Sequence, residues 1–453
     1  MAFLSSCAVG PGYKKPDLPS APTIESIQTH YKDSEVPRDW WSLLNDQTLS
    51  NLIDRAYANN QSLVAAQANL LKSRSLHKAA TGKLYPHLAA GGSIVANQSS
   101  LNSNPMLAGF PGYDRETTLY QGQFDASWEI DLFGRNKSLM DAAEADVEIA
   151  KAYLGGVLVS VSSEVAQSYI VLRNQQFLLE TTHRKLEILD QQLALKSKRL
   201  EFGKISELEF SRFEEQVSLA HSTLPLVESR MESTLNRIEV LVGESGSCEN
   251  LRNTPGIYPK IPENLPIGVT SDIISRRPDL IISEKQLVQA YANQRVATAN
   301  LYPRFSLFGK FGSATIESGD FAKEASEFWS IGPSLYLPVF QGGSLKNMLE
   351  ASEHGVSAAA ANFKDTYLRA ISEVESKLID YSKSLKSLSE TTKANEASTH
   401  SYSLEETKFS EGAINQETLL TAEFKHLESE EKLMQTKTET ILRLVAMYKS
   451  LGG

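Results

Sequence analysis

Cysteine and histidine, which build most disulfide frameworks and metal centres, are scarce in this chain. Its 453 residues contain two cysteines, Cys7 and Cys248, and eight histidines. No histidine pair has metal-ligand spacing, and neither cysteine has a ligand partner close in sequence. The sequence also lacks a HExxH motif, a glycine-rich phosphate loop and a nucleophile elbow. We therefore expect no catalytic residues, no metal and no bound cofactor.

Positive charge and long apolar runs are also lacking. The formal net charge is -10 at pH 7, which leaves no basic surface for nucleic acid. No stretch approaches 18 consecutive apolar residues, so the sequence predicts no transmembrane helix. If the chain spans a membrane, it must do so with strands, because only helices and closed barrels satisfy the backbone in lipid.

Proline is absent from two long tracts. None occurs between Pro111 and Pro225, and none follows Pro338. Because proline breaks helix interiors, each tract can hold a very long helix. The prolines within 255–278 are typical of a linker.

Two landmarks occur twice, in the same order. Leu84-Tyr85-Pro86 recurs about 217 residues later as Leu301-Tyr302-Pro303, and the strand-to-helix turn at Asp131–Gly134 recurs at Val339–Gly343. A repeat this long indicates an internal duplication. We predict a tail (1–38), a first repeat (39–242), a linker (243–270) and a second repeat (271–453).

Each repeat should contain a strand hairpin followed by long helices. The predicted hairpins are 87–132 and 303–340, and the predicted long helices lie in 136–242 and 344–450, with a shorter helix at 278–301. Apolar and polar residues alternate between Phe124 and Leu132, and each strand is about ten residues long, as a tilted membrane strand requires.

The long helices should pack as coiled coils. Seven apolar residues of the first long helix fall seven apart, which is the spacing of a coiled-coil seam: Leu158, Val165, Leu172, Leu179, Leu186, Leu193 and Leu200. We expect Asp39 to cap a short helix before this region. Gly155-Gly156 and Pro225 should weaken or kink the helices that contain them.

Four strands cannot close a barrel, and an open sheet edge in lipid leaves backbone groups unpaired. Outer-membrane barrels begin at about eight strands. We therefore predict a mainly α protein with membrane β-strands. Three copies would form a 12-stranded β-barrel, joined to a coiled-coil helical barrel roughly 100 Å long.

The chain resembles outer-membrane factors of the TolC type, and most closely the OprM and NodT lipoprotein branch. Five motifs carry the resemblance and follow the family order: Cys7–Tyr13 with Pro16, Trp128–Arg135, Arg276–Leu280, Leu301–Leu307 and Pro338–Gly343. The resemblance implies a homotrimer that docks on a periplasmic adaptor and an inner-membrane pump of the resistance-nodulation-division class. It also implies export of drugs or other toxic solutes across the outer membrane and periplasm, without covalent chemistry.

Cys7 is the candidate lipidation site. Leu4-Ser5-Ser6 before it fits a lipobox, and acylation would anchor the chain to the outer membrane. Six preceding residues are too few for a signal peptide, so we expect either that upstream residues are missing from this sequence or that its secretion route is not visible in it.

The resemblance also places a tunnel constriction in the second repeat, near Gly412. The resemblance implies an aspartate nine positions after this glycine, where this chain has Thr421, and in some members another at the sixth position, where it has Thr418. Phe409 matches the family aromatic, while Glu417 and Glu423 are the nearest acids. An acidic cation-binding ring is therefore in doubt here, and the two glutamates equally fit a solvated helix face.

Gly203 and Gly412 interrupt the helices at matching places, and we expect periplasmic turns there. With Ile205 and Ile414 they form the candidate docking tips for an adaptor, although both glycines also fit simple turn residues.

Two alternatives to the export duct remain: a soluble coiled-coil structural or adaptor protein, and an enzyme that uses scattered acids, which no spacing supports.

Overall fold

The computed structural model describes residues 9–18, 31–33, 37, 39–100, 102, 115–246, 248–253, 258–262, 265–267 and 276–453. The tail contains β1 (Tyr31–Asp33). The first repeat contains, in order, a 3-10 turn (Trp40–Leu44), α1 (Gln47–Asn59), α2 (Gln61–Gly82), β2 (His87–Gln98), β3 (Glu116–Ile130), α3 (Arg135–Glu201), α4 (Glu207–His221) and α5 (Leu224–Val242). There follow α6 (Glu249–Asn253), β4 (Leu265–Ile267), α7 (Pro278–Ala299), β5 (Arg304–Thr315), β6 (Glu327–Tyr336), α8 (Ser344–Ser410) and α9 (Gln416–Ser450).

Three pairs of corresponding elements in the two repeats have the same lengths. Helices α2 and α7 both contain 22 residues, β2 and β5 both contain 12, and α3 and α8 both contain 67. The repeats therefore share one element order, which is helix, hairpin, long helix and returning helix.

One predicted helix start is wrong. Asp39 makes no capping bond, and Trp40–Leu44 is a 3-10 turn. Asp46 caps α1 instead, because its Oδ1 accepts from the Leu49 amide at 3.0 Å.

The two predicted helix irregularities have different outcomes. The returning helix of the first repeat is interrupted between His221 and Leu224, directly before Pro225, as predicted. Helix α3 runs unbroken through Gly155-Gly156, so the two glycines do not interrupt it. Gly156 lies against Pro278, where an added Cβ would come within 3.4 Å of the proline ring. The glycine thus permits close packing of the α7 start.

The four long strands form one antiparallel sheet in the order β2-β3-β5-β6. Each hairpin supplies two neighbouring strands, and β3 pairs with β5 over eleven residue pairs without a bulge. Strands β2 and β6 have a partner on one side only within the described chain. A second, parallel pair joins β1 to β4, which sequence patterning missed because three residues carry no periodicity.

The chain divides into two compact units, and each unit draws residues from both repeats. The first contains residues 1–17, 69–150 and 283–363, with the four-stranded sheet. The second contains residues 18–68, 151–282 and 364–453. Its core holds the predicted seam residues Val165 and Leu172, both fully buried, and Trp40 stacked on Tyr448 at 5.6 Å.

In each repeat, the side chain of a residue just before the helix that precedes the hairpin binds a carbonyl group at the end of the returning helix. Asn60, before α2, donates to the Leu241 carbonyl near the end of α5 at 2.8 Å. Arg277, before α7, donates to the Ser450 carbonyl at the end of α9, also at 2.8 Å. These bonds satisfy carbonyls that have no partner within their own helix.

One described helix passes a membrane-span test of length and composition alone. Helix α3 contains an 18-residue window with mean hydropathy 1.3, of which 44% is buried in the protein. The sequence analysis predicted no helix of this kind, because it looked for an unbroken run of apolar residues. Helix α3 reaches the mean hydropathy with small and apolar residues that polar ones interrupt. The burial and the heptad seam fit a packed coiled-coil helix.

Candidate functional site

One face of the four-stranded sheet is apolar across neighbouring strands. Directly paired residues share a face, and the pairs Phe124–Phe311 and Phe311–Trp329 form one apolar row. Three further rows follow toward the helices: Leu88, Ala126, Gly309 and Ile331; Trp128, Leu307 and Pro333; Ile130, Phe305 and Leu335. Trp329 is 75% exposed and Phe124 and Phe311 are each 54% exposed, so one chain leaves this face uncovered.

The opposite face is polar and internally hydrogen-bonded. Gln121 donates to Gln123 at 2.6 Å, and Gln123 donates to Asp125 at 2.7 Å. Lys310, on the neighbouring strand, lies 3.6 Å from Asp125. A sheet with one apolar and one polar face matches a membrane barrel wall, which meets lipid outside and water inside.

Aromatic residues near strand ends are candidates for interfacial girdles, and one of four such residues lies on the opposite face from the others. Trp128, Trp329 and Tyr120 lie on the apolar face by strand register, whereas Tyr336 lies on the polar face. Tyr336 accepts a hydrogen bond from Gln341 at 3.2 Å. We assign only the first three residues to the lipid side.

The turn between β3 and α3 explains the Trp128–Arg135 motif. Arg135 makes two hydrogen bonds to Glu129, at 3.1 and 3.0 Å, and Asp131 accepts from the Lys137 amide at 2.7 Å. Gly134 adopts φ +75°, which favours glycine. The carboxylate of Asp131 thereby caps a long helix whose first amides need acceptors.

The two candidate tips have closely similar turns. Gly203 and Gly412 both have positive φ, +65° and +76°, and each follows a 67-residue helix. Ser206 and Asn415 then cap the returning helices by accepting amide bonds at 3.2 and 2.9 Å. Ile205 and Ile414 are half-buried in their turns, which gives both isoleucines a local packing role.

Glu417 is held by two cations of the first repeat. It lies 3.0 Å from Lys196 and forms an ion pair with Arg199. Glu423, six residues further along α9, lies 2.8 Å from Arg184. Neither glutamate is therefore a free acid on a solvated face, and both tie α9 to α3.

The other predicted constriction residues have differing surroundings. Thr418 donates to the Asn415 cap at 3.1 Å, and Thr421 accepts from Gln192 of α3 at 3.1 Å. Phe409 is 40% exposed at the end of α8. The structure thus brings Glu417 and Thr421 to α3, while Thr418 serves the helix cap.

Sequence reasoning missed Lys196, Arg199 and Arg184, which face these acids. Each lies more than 200 residues from its partner in sequence, and no short-range pattern connects such pairs. The sequence offered only their place in α3, the helix that carries the heptad seam, since charged residues flank coiled-coil contacts.

A cavity of about 570 Å³ lies beside this ion-pair cluster. Arg199, Glu417, Thr421 and Tyr402 help to line it. Burial, followed by a hydrogen bond with Glu406, raises the pKa of Tyr402 to about 12. Tyr402 therefore stays neutral at physiological pH.

Within the described ranges, no three acids, histidines or cysteines form a metal-ligand group.

Cys7 lies outside the described residues, and the segment that follows it contacts α7. Tyr13 donates to Glu284 at 3.0 Å, and its ring meets Tyr291 edge-on at 5.8 Å. The Val9 amide donates to the Phe133 carbonyl at 3.3 Å. The segment therefore runs along α7 toward the turn at the end of β3.

Known proteins resemble the chain over its whole length. The solvent efflux pump outer membrane protein SrpC of Pseudomonas putida is 27% identical, covering 100% of this chain and 96% of SrpC. The outer membrane protein OprJ of Pseudomonas aeruginosa is 26% identical, covering 99% of this chain and 93% of OprJ. The solved outer-membrane channel OprN is 28% identical with a TM-score of 0.87, and the match covers 99% of each chain.

A family model described as "Outer membrane efflux protein" matches residues 52–244 and 269–453. The match confirms the predicted TolC-like resemblance and the predicted role as the outer-membrane channel component of a tripartite efflux system. It likewise confirms the trimeric barrel fold, the outer-membrane and periplasmic location, and the adaptor and pump partners. The chain belongs to the outer membrane efflux protein family.

Proposed function

We propose that this chain is a non-enzymatic exit duct for apolar organic solutes and antibiotics. The observation that carries the proposal is the two-faced sheet with two open edges. In the closed trimer, three four-stranded sheets give twelve strands, and an even number lets antiparallel pairing continue around the ring. The polar face with the Gln121–Asp125 ladder then lines a water-filled passage.

The solute class rests on relatives. The full-length relatives include a toluene efflux pump protein and an antibiotic efflux pump protein, both from Pseudomonas putida. A passage lined by amides and small side chains has few groups that would select one solute. We therefore assign choice of solute to the pump rather than to this chain.

The first test is the native mass of the full-length protein, expressed with a working signal peptide and extracted from the membrane in mild detergent. Barrel closure requires three 50.0 kDa chains, or roughly 150 kDa. A folded, soluble species of one chain would overturn the duct, because the sheet edges would then stay open.

We further propose that the Glu417 ion pairs hold the constriction closed. They join the first turn of α9 to the end of α3, close to both tips. An ion pair of this kind can be released without unfolding either helix, because each helix keeps its own backbone bonds. Phe409, Thr418 and Thr421 are the neighbouring constriction candidates, and the tips at Gly203, Ile205, Gly412 and Ile414 are the candidate adaptor contacts.

Glu417→Gln tests this restraint. It removes the charge while nearly preserving shape, so we expect higher single-channel conductance and greater antibiotic leakage into cells, at unchanged trimer mass. Glu428→Gln, at an exposed acid of the same helix, is the matched control and should leave both readouts unchanged. Equal conductance of the Glu417→Gln variant and the wild type would remove the gate assignment.

We also propose that Cys7 carries lipid. The contacts of Val9 and Tyr13 hold the following segment beside the β3 end, and two extended residues span at most about 7 Å. A lipid at Cys7 would thus start near the membrane strands. Mass spectrometry should find acyl chains on wild-type protein and none on Cys7→Ser. An unmodified wild-type mass, in a host that acylates a control lipoprotein, would exclude the modification.

A further inference from the structure

The segment 316–326, which connects β5 to β6, packs against the apolar face of the sheet. The Ser313 hydroxyl donates to the Phe321 carbonyl. The Phe321 ring covers Gly122, where an added Cβ would lie 2.9 Å from the ring. Gly122 and Ser313 are directly paired, so both contacts place the segment on one side of the sheet.

That side is the lipid side of the barrel. Gly122 lies two residues from Phe124, and Ser313 lies two residues from Phe311, so all four share a face. The hydrogen-bonded polar ladder of Gln121, Gln123 and Asp125 occupies the opposite face. The segment therefore folds outward from the β5 end and not across the passage.

The segment marks a sharp change in surface polarity. It contains Glu317, Asp320, Lys323 and Glu324, and Lys323, Glu317 and Glu324 are exposed. The next row toward the helices is the apolar row of Phe124, Phe311 and Trp329. Charged groups are costly at hydrocarbon depth, whereas the exposed apolar side chains of that row belong in the hydrocarbon layer. The boundary of the hydrocarbon layer therefore lies between the segment and this row.

The segment also has a fixed conformation. Ser326 donates to the Asp320 carbonyl at 2.8 Å, and the Lys323 amide donates to the same carbonyl at 3.0 Å. Phe321 remains 39% exposed beside Gly122, and Ile316 is 63% exposed. An ordered turn with exposed apolar side chains among charged ones has the composition of a membrane-interface anchor.

We propose that the segment 316–326 is a lipid-binding element that lies in the headgroup layer of the outer leaflet, with Phe321 seated on Gly122. It sets the outer boundary of the lipid-facing band on this part of the barrel. It leaves the mouth of the passage open on the β5–β6 side. The occupant of its exposed surface is the bilayer itself.

Spin-label accessibility of the intact trimer in phospholipid vesicles tests the placement. Labels are attached to Lys323→Cys in the segment, Ser127→Cys on the polar face and Ile331→Cys in the apolar band. Wild-type protein labelled in parallel gives the background from native cysteines, of which Cys248 is 2% exposed. Each label is exposed in turn to a nickel chelate carried on a lipid headgroup and to a free, water-soluble nickel chelate.

Headgroup-bound nickel should relax the label at position 323 more strongly than it relaxes either control. Free nickel should act most strongly at position 127, and neither reagent should act strongly at 331. If free nickel relaxed the label at position 323 as strongly as the label at position 127, the segment would face water and the proposal would be overturned. Protection from both reagents would also overturn it, since another protein segment would then cover the surface.

Gly122→Ala displaces the Phe321 ring, because the new methyl group clashes with it, and leaves the sequence of the segment unchanged. We expect the response at 323 to shift from headgroup-bound to free nickel. Gly92→Ala is the matched control, since Gly92 pairs with Gly122 and its nearest atom, the Gln121 carbonyl oxygen, lies at 3.5 Å. If Gly122→Ala left the response unchanged at normal trimer mass, Phe321 would not be the anchor.

Discussion

Arg277 connects three segments of the second repeat through one guanidinium group. It donates to Asp279 at 3.0 and 2.8 Å, to Glu373 at 2.7 Å and to the Ser450 carbonyl. A planar group with five donors in a fixed fork can bind two carboxylates and a carbonyl at once, whereas lysine offers three donors on one compact ammonium group. The Arg276–Leu280 motif is therefore a structural junction at the start of α7.

Asp279 makes this junction sensitive to acid. Burial disfavours its carboxylate, but the hydrogen bonds and charge of Arg277 outweigh burial and hold its pKa below 3.8. A lowered folded-state pKa stabilises the fold above the unfolded pKa, and this stabilisation is lost as the pH falls through the folded value. Asp279→Asn should lower the melting temperature at about pH 7 and lower it less at about pH 3, because the stabilisation begins to be lost as the pH falls below 3.8.

Thermal unfolding of the trimer at both pH values checks this. Asp365→Asn is the control, because Asp365 pairs with Arg369 on one exposed helix face and such pairs contribute little. A loss for Asp279→Asn that is equal at both pH values would contradict the ionic explanation.

Gly243 ends α5 in a conformation that other residues adopt with strain. Its φ is +76°, and an added Cβ would lie 2.4 Å from the Asn59 carbonyl oxygen. We expect Gly243→Ala to destabilise the protein by about 2–4 kcal/mol, through strain and backbone displacement. Gly203→Ala has a similar φ of +65° in open space, so it should cost only about 1–2 kcal/mol. Equal losses in denaturant unfolding would show that the contact with Asn59 contributes nothing.

At the scale of elements, the sheet depends on a close approach between β3 and β5. A Cβ at Gly312 would lie 2.4 Å from the Gly122 carbonyl oxygen and 2.8 Å from the Gln123 Cβ. Gly309, three residues earlier in β5, has only an ordinary contact at 3.9 Å with Ala126. Glycine is thus required at position 312 and not at position 309.

Gly312→Ala should therefore reduce the fraction of heat-resistant trimer on native gels, while Gly309→Ala should leave it near the wild-type value. The backbone oxygen at Gly122 cannot move aside as a side chain would, so the strands must separate locally. If both variants assembled equally, the β3–β5 spacing would not limit assembly.

At the scale of the whole molecule, barrel orientation assigns opposite surroundings to adjacent residues. Trp329 lies on the apolar face and Ser330, opposite Lys310, lies on the polar face. A lysine facing lipid costs roughly 2–4 kcal/mol at mid-membrane and less near the interface. We expect Trp329→Lys to impair membrane assembly and Ser330→Lys to assemble normally. Outer-membrane yield and trimer mass measure this, and impaired assembly of Ser330→Lys alone would reverse the assigned faces.

Local signals in the sequence account for most element positions. The period-two pattern from Phe124 predicted β3, the seven-residue spacing from Leu158 predicted α3, and Pro225 predicted a break between α4 and α5. These features depend on neighbours in sequence, so patterning detects them. The cap at Asp46 was missed because Asp39 offered an equally plausible local signal.

The partners of the candidate constriction could not be predicted in the same way. Glu417 is near Gly412 in sequence, and the turn at Gly412 was predicted. Its contacts with Lys196 and Arg199 depend on how α9 packs against α3, and no local pattern encodes that packing. The same holds for Phe321 on Gly122, which joins a loop to a strand from the other repeat.

The sequence by itself determined the duplication, the long helices, the alternating strands and the need for further copies, because periodicity and strand number follow from backbone geometry. Tertiary structure alone decided which charges neutralise one another, which glycines permit close approach and on which face segment 316–326 lies. Those outcomes depend on contacts between residues far apart in the chain, whose free energies exist only once the helices and strands have packed.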